Sequence, residues 1–179
     1  ITALFSGPAA GVVGALRQVE ASGVRDLITL DMGGTSTDVS LISNGLPDLA
    51  PMTKIDGLPV KTPVIDIATV GAGGGSIGWV DDGGLLRVGP QSAGAEPGPA
   101  CYGRGGNAFT VTDAHMIRGS VRPESFLGGK MKVDPSASRA VVAPLADELG
   151  MTVEELADSI IQIAESNIVR AIQQVSTER

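Results

Sequence analysis

Two short apolar runs, residues 26–31 (DLITLD) and 37–43 (TDVSLIS), are separated only by Met32-Gly33-Gly34-Thr35-Ser36. Both runs are rich in aliphatic and β-branched residues, and the glycine pair lets the chain reverse between them. This predicts an antiparallel pair of strands whose turn is longer than the tightest hairpin type. One carboxylate, Asp31, ends the first strand, and another, Asp38, begins the return. The 25 glycines and 11 prolines are too much punctuation for a helical bundle but suit an α/β protein with glycine-built loops. Aromatic residues make up only 3%, so the core must be built from Val, Ile, Leu and Ala.

The flanking segments extend this α/β pattern. Ser6-Gly7-Pro8 opens a small-residue stretch that reads as a helix, capped by Ser6 or Gly7, with Pro8 in its first turn and Gly23 closing it. Gly11 and Gly14 would weaken that helix, which points to close backbone packing or approach by a ligand. Residues 64–70 read as a third strand, and 77–80 and 85–88 as a second hairpin across Asp81-Asp82-Gly83-Gly84. Residues 89–107 carry little regular pattern, and a loop of that length is often functional. A helix is expected from Val111, capped by Thr112 or Asp113. Asp134-Pro135 opens another that Gly150 stops. Thr152 and Glu155 form a capping box ahead of Leu156, Ile160, Ile163, Ile168, Ile172 and Val175 at helical spacing.

Charge and composition exclude several classes. Lys plus Arg total 13 against 20 Asp plus Glu, a net charge of −7. An acidic chain with few aromatics lacks both the cations and the stacking platforms of a nucleic-acid binder. No apolar run is long enough to cross a bilayer, so no membrane partner is expected. Cys101 is the single cysteine, which precludes an internal disulfide and favours a reducing, cytoplasmic setting. The Walker loop, the zinc-protease helix, the calcium loop and paired Cys-x-x-Cys sites are all missing from the pattern. The chain opens at Ile1 and closes at Arg179 inside a helical pattern, so residues 1–179 are expected to be a single lobe or fragment, cut at both ends.

Four constellations could carry chemistry. In the segment from Asp31 to Asp38, the amides and hydroxyls of Gly33, Gly34, Thr35, Ser36 and Thr37 can surround phosphate oxygens. Asp31 and Asp38 can hold Mg²⁺ through its waters. An ordinary Gly-Gly hairpin with acidic edges fits the same spacing. Gly71-Ala72-Gly73-Gly74-Gly75-Ser76 formally contains G-x-G-x-x-G, but a dinucleotide site needs a helix next, and residues 77–80 read as strand. Close approach of backbone to some other ligand, or a mobile loop, remain the two readings there. Asp113 and His115, two residues apart on a helix, do not share a face, so Asp113 reads as a cap and His115 as partly exposed. Cys101 has no evident base beside it and reads as structural.

Taken in order, Ser6-Gly7-Pro8-Ala9-Ala10-Gly11-Val12, Asp31-Met32-Gly33-Gly34-Thr35-Ser36-Thr37-Asp38, Gly71-Ala72-Gly73-Gly74-Gly75-Ser76, Glu96-Pro97-Gly98-Pro99-Ala100-Cys101-Tyr102 and Thr112-Asp113-Ala114 carry a resemblance. The chain resembles the hydantoinase A/5-oxoprolinase family, which includes ATP-dependent N-methylhydantoinases and subunits of acetone and acetophenone carboxylases. The resemblance implies an α/β lobe of the actin-like, Hsp70-like, sugar-kinase-like (ribonuclease H-like) ATPase fold. It implies ATP as cofactor with Mg²⁺ or another divalent cation, and activation of a carbonyl by phosphate. The substrate would be a small cyclic amide, such as a hydantoin or 5-oxoproline, or a ketone, and a hydantoinase B-type subunit would be a partner. Asp31 and Asp38 would be catalytic and metal-holding. Gly33, Gly34, Thr35, Ser36 and Thr37 would cradle phosphate, with Gly73, Gly74, Gly75 and Ser76 lining the same cleft. A nucleotide switch of the actin or Hsp70 kind is the competing reading. No role follows for Glu96, Cys101, Asp113 or His115.

Overall fold

The structure, a computed structural model, describes residues 6–55 and 58–178. Its elements run α1 (Ser6–Val19), β1 (Leu27–Met32), β2 (Thr37–Ser43), β3 (Leu46–Pro47), β4 (Leu49–Ala50), β5 (Thr53–Ile55), β6 (Leu58–Val60), β7 (Val64–Ile65), β8 (Ala68–Val70), β9 (Ser76–Val80), β10 (Leu86–Ser92), α2 (Val111–Ile117), α3 (Pro135–Leu149) and α4 (Val153–Ser176). The chain divides into two compact units. The first comprises Ile1–Asp31, Thr37–Val70 and Val169–Arg179, and the second Met32–Ser36 and Gly71–Ile168.

The first unit is organised around β2. It pairs with β1, with β3 near its C-terminal end (Ile42 opposite Pro47) and with β8 at its start (Thr37 opposite Val70, Asp38 opposite Thr69). Side chains alternate across a strand, so Val39 and Leu41 share one face while Asp38, Ser40 and Ile42 share the other. Val39 packs with Ala171 and Val175 from the last turns of α4, and Ala68 and Val70 of β8 join that cluster. The strand expected over 64–70 is broken. Val64–Ile65 pairs with β4, whereas Ala68–Val70 turns to β2, with Asp66 and Ile67 between them. The strands β3, β4, β5 and β6, of two or three residues each, are too short to show a periodicity.

Helix α1 begins at Ser6, so the residue that caps it lies outside the described ones. A single 3-10 turn follows, and Gly23 ends it in the left-handed conformation at φ 70°, as the C-terminal glycine predicted. The inference that Gly14 marks close packing does not hold among the described residues. A Cβ there would meet nothing within 4 Å, and at Gly11 it would meet only Asp31 Oδ2 at 3.6 Å.

The second unit pairs β9 with β10 (Trp79 opposite Arg87) and packs this hairpin with α2, α3 and the first turns of α4. Its core contains Val88, Phe109, Val111, Val142, Leu156 and Ile160. Helix α3 starts at an Asp134 cap and stops at Gly150, and Thr152 and Glu155 form the capping box before α4. The cap of α2 is Thr110 rather than Thr112 or Asp113. Its hydroxyl accepts from the Asp113 amide, and Asp113 reaches back to the Thr110 amide from the third helical position.

Asp113 does far more than close that box. It is fully buried, and its carboxylate accepts from the Cys101 amide (2.9 Å), the Ala100 amide (3.1 Å), the Thr110 hydroxyl (2.7 Å) and the Ser138 hydroxyl (2.6 Å). One side chain thereby fastens the irregular segment around Ala100 and Cys101 to α2 and α3. Every donor facing it is an N–H or O–H, so an amide in its place would turn an NH₂ toward other donors. Asp113→Asn should therefore destabilise the protein by about 2–3 kcal/mol. A urea unfolding curve of the purified variant, with its midpoint compared at unchanged slope, checks this.

Candidate functional site

The predicted glycine turn and the predicted glycine loop meet each other within the second unit. The Gly74 amide donates to the Gly33 carbonyl (3.0 Å), and the Gly75 amide to the Gly34 carbonyl (2.6 Å). The turn closes on itself through the Gly33 amide, which donates to the Ser36 carbonyl at 2.8 Å. Gly73 lies so close that an added Cβ would sit 2.8 Å from backbone atoms of Gly33, Gly34 and Thr35. No side chain fits there, which is the reason for glycine at this position. The loop is not a mobile tether: Gly73, Gly75 and Ser76 are buried.

Further contacts hold the loop from behind. Thr112 donates both its amide and its hydroxyl to the Gly74 carbonyl, each at 2.8 Å. The Gly73 amide donates to the Ser76 hydroxyl at 2.8 Å, and the Ala93 amide to the Gly75 carbonyl at 2.8 Å. The Ser92 hydroxyl lies 3.4 Å from both the Gly34 carbonyl and the Thr35 hydroxyl. Sequence reasoning missed Thr112 and Ser92 as supports. Nothing local marks them, because their partners are distant in the chain.

This bracing has a consequence for the turn's own donors. The amides of Gly73, Gly74 and Gly75 are spent inside the protein, whereas those of Gly34, Thr35 and Ser36 donate to no other described residue. Gly34 and Thr35 are exposed, and Thr37 is buried at the start of β2. Successive backbone amides left free in a bend are the donors from which anion-binding concavities are built.

In the first unit, Asp31 and Asp38 line one cavity of 440 Å³ formed by α1, β1 and β2. The Thr69 hydroxyl donates to Asp38 Oδ1 at 2.6 Å, which fixes that carboxylate. Ser40 lines the same cavity and is 1% exposed, yet its hydroxyl has no hydrogen-bond partner among the described residues. Sequence reasoning treated Ser40 only as part of a strand. Its position two residues after Asp38 puts it on the same face, a signal the period of two could have supplied.

The remaining candidates are structural or unassigned. Burial, followed by the negative charge of Asp113, pushes the Cys101 thiol up to about 12, so it stays protonated and unreactive. Half-buried His115 is held below its ordinary value by burial, an effect that Glu165 opposes and Arg118 reinforces. Glu96 is exposed.

The sheet, helices and braced glycine turn are those of an actin-like, Hsp70-like α/β lobe. A family model described as hydantoinase/oxoprolinase matches residues 1–179, and the chain belongs to that family. It is 40% identical to the caprolactamase alpha subunit of Pseudomonas jessenii over 180 residues, covering 100% of this chain and 26% of that one. The crystal structure of the ATP-dependent caprolactamase from Pseudomonas jessenii matches with a TM-score of 0.86 at 39% identity, over 96% of this chain and 25% of that one. A nucleotide-free acetone carboxylase structure, from work on ATP-dependent acetone carboxylation, matches with a TM-score of 0.87 at 32% identity, over 96% of this chain and 24% of that one. The chain thus spans about a quarter of the length of these relatives.

Two measurements check the local geometry. Gly73→Ala should cost about 3 kcal/mol, because the new methyl meets backbone rather than a movable side-chain end. Thermal and urea unfolding of the variant read this directly. Cys101 should resist Ellman's reagent at pH 8 in the folded protein and react at the rate of a free thiol in urea. Rapid native labelling would show that the segment holding it opens.

Proposed function

We propose that this chain is the phosphate-handling part of an ATP-dependent hydrolase that opens a cyclic amide. The observation that carries the reading is the braced turn, whose Gly34, Thr35 and Ser36 amides have no protein acceptor among the described residues. Backbone amides aimed at a phosphoryl group stabilise the charge that shifts during transfer and need no reorganisation to do so. The Thr35 and Ser36 hydroxyls add donors at the same bend. ATP, when bound, supplies a phosphoryl group whose transfer to the amide oxygen makes the ring carbonyl carbon a better electrophile for water.

Asp31 and Asp38 bracket the turn in sequence, and they are the residues that would hold Mg²⁺ or another divalent cation. No cluster of three His, Cys, Asp or Glu side chains gathers for a metal among the described residues. Two carboxylates on one cavity suit an ion that keeps several waters of its own. Asp38, fixed by Thr69, holds its orientation, and Asp31, one residue before the end of β1, is exposed.

The similarity to acetone carboxylase supports a second reading, in which the same turn serves an ATP-using subunit of a ketone carboxylase. In either case the whole protein would be cytoplasmic and would act with further subunits, a hydantoinase B-type chain among them. The caprolactamase relative is itself a subunit. Among the described residues no helix is long and apolar enough to cross a membrane.

The test uses the full-length protein assembled with its partner subunits. Mg-ATP should support ring opening of a lactam, and Asp31→Ala should lower that rate by about a hundredfold or more while the protein stays folded. Residues 1–179 alone should show weak or absent ATPase activity. Turnover of the assembled enzyme that is indifferent to Asp31→Ala would remove the carboxylate from the mechanism.

A further inference from the structure

The exposed Thr35 hydroxyl meets a side chain that arrives from a distant strand. Ser92, half-buried, is the last residue of β10. Its hydroxyl oxygen lies 3.4 Å from the Thr35 hydroxyl oxygen and 3.4 Å from the Gly34 carbonyl. The Gly94 amide donates to it at 3.1 Å, which anchors that oxygen. Gly75 makes the meeting possible, since an added Cβ there would sit 2.9 Å from both the Gly34 carbonyl and the Ser92 hydroxyl. We propose that Ser92 is a positioning residue for the phosphate, acting through the Thr35 hydroxyl. The proposal rests on the phosphate-handling function above and gives that function a residue from outside the turn.

The order of the protons carries the inference. A hydroxyl has one proton to give and two lone pairs to receive with, whereas a carbonyl only accepts. In the structure the order runs from Thr35 to Ser92 and from Ser92 to the Gly34 carbonyl. In that order the Thr35 oxygen offers a ligand only lone pairs. A phosphoryl oxygen accepts, so it takes the Thr35 proton only if the first link reverses. The Ser92 proton then passes from Gly34 to Thr35.

The geometry makes that reversal inexpensive. The Gly34 carbonyl can release Ser92, because the Gly75 amide already donates to it at 2.6 Å. Both 3.4 Å separations exceed the roughly 2.7–2.8 Å typical of O–H···O bonds, so neither acceptor holds the Ser92 proton firmly. Long contacts of this kind tighten once a ligand is in place. A hydroxyl that receives a hydrogen bond is also the stronger donor, since linked bonds polarise one another. Ser92 thereby fixes the Thr35 hydroxyl in one orientation and strengthens the bond it gives to phosphate. A merely structural Ser92 would tie β10 to the turn whether or not Thr35 carried a hydroxyl.

The test is a double-mutant cycle read by calorimetric titration. The full-length protein, assembled with its partner subunits, is titrated with a non-hydrolysable ATP analogue and Mg²⁺. Ser92→Ala should weaken the analogue about tenfold, the loss expected for one hydrogen bond. Thr35→Val, which removes the hydroxyl and keeps the branched shape, should weaken it by at least that factor. Ser92→Ala added to Thr35→Val should cost nothing further, because the group through which Ser92 acts is already gone. An equal loss from Ser92→Ala in both backgrounds would overturn the proposal, since Ser92 would then support the turn without serving Thr35. Unchanged affinity in Ser92→Ala would overturn it as well. In both of those cases the parent protein still binds the analogue and the phosphate reading stands. A parent protein that does not bind the analogue would overturn both.

Discussion

The geometry of the candidate site depends on a contact between two pieces of main chain. Gly73 lies against Gly33, Gly34 and Thr35 at a distance that excludes any Cβ, and the Gly74 and Gly75 amides take the two turn carbonyls. A hairpin turn alone is a soft object, since two glycines leave it many conformations. Here the Gly33 and Gly34 carbonyls are committed to the loop, while the Gly34, Thr35 and Ser36 amides donate to no other described residue. The loop that the sequence offers as a second ligand-binding element thus acts in the structure as the support of the first. Thr112 extends that support into α2 through its two bonds to the Gly74 carbonyl.

Asp113 stands next to Thr112 and fastens a different neighbour. Its four-sided acceptance from Ala100, Cys101, Thr110 and Ser138 orders a stretch too rich in glycine and proline to order itself through secondary structure. A buried carboxylate is tolerable only when donors replace its water, and here they do. Cys101 is enclosed by the same arrangement, which accounts for its inert thiol. The first turn of α2 therefore carries two adjacent tasks: Thr112 braces the glycine loop, and Asp113 secures the segment around Cys101.

What could be read from the sequence was what local pattern controls. The run TDVSLIS predicts β2 with the bounds observed, and the caps at Asp134, Gly150 and Thr152 lie where these residue types predict them. Val64 to Val70 misled because one apolar run serves two partners, β4 and β2, and pairing partners leave no mark within a strand. Thr110 was passed over as a cap because Thr112 and Asp113 also offer capping side chains. The glycines of the loop were visible, but the reason for them was not: Gly73 answers to backbone forty residues earlier. Ser40 is legible only as a strand residue on the face of Asp38; that its hydroxyl has no partner among the described residues follows from the packing around it.

The proposed chemistry makes an electrostatic demand on the turn. The proposal asks the turn to attract an anion with amide dipoles alone, within a chain of net charge −7. Amides bind through fixed partial charges and make no discrimination of their own between phosphate and other oxyanions. Selection for one oxyanion over another therefore has to come from groups outside the turn.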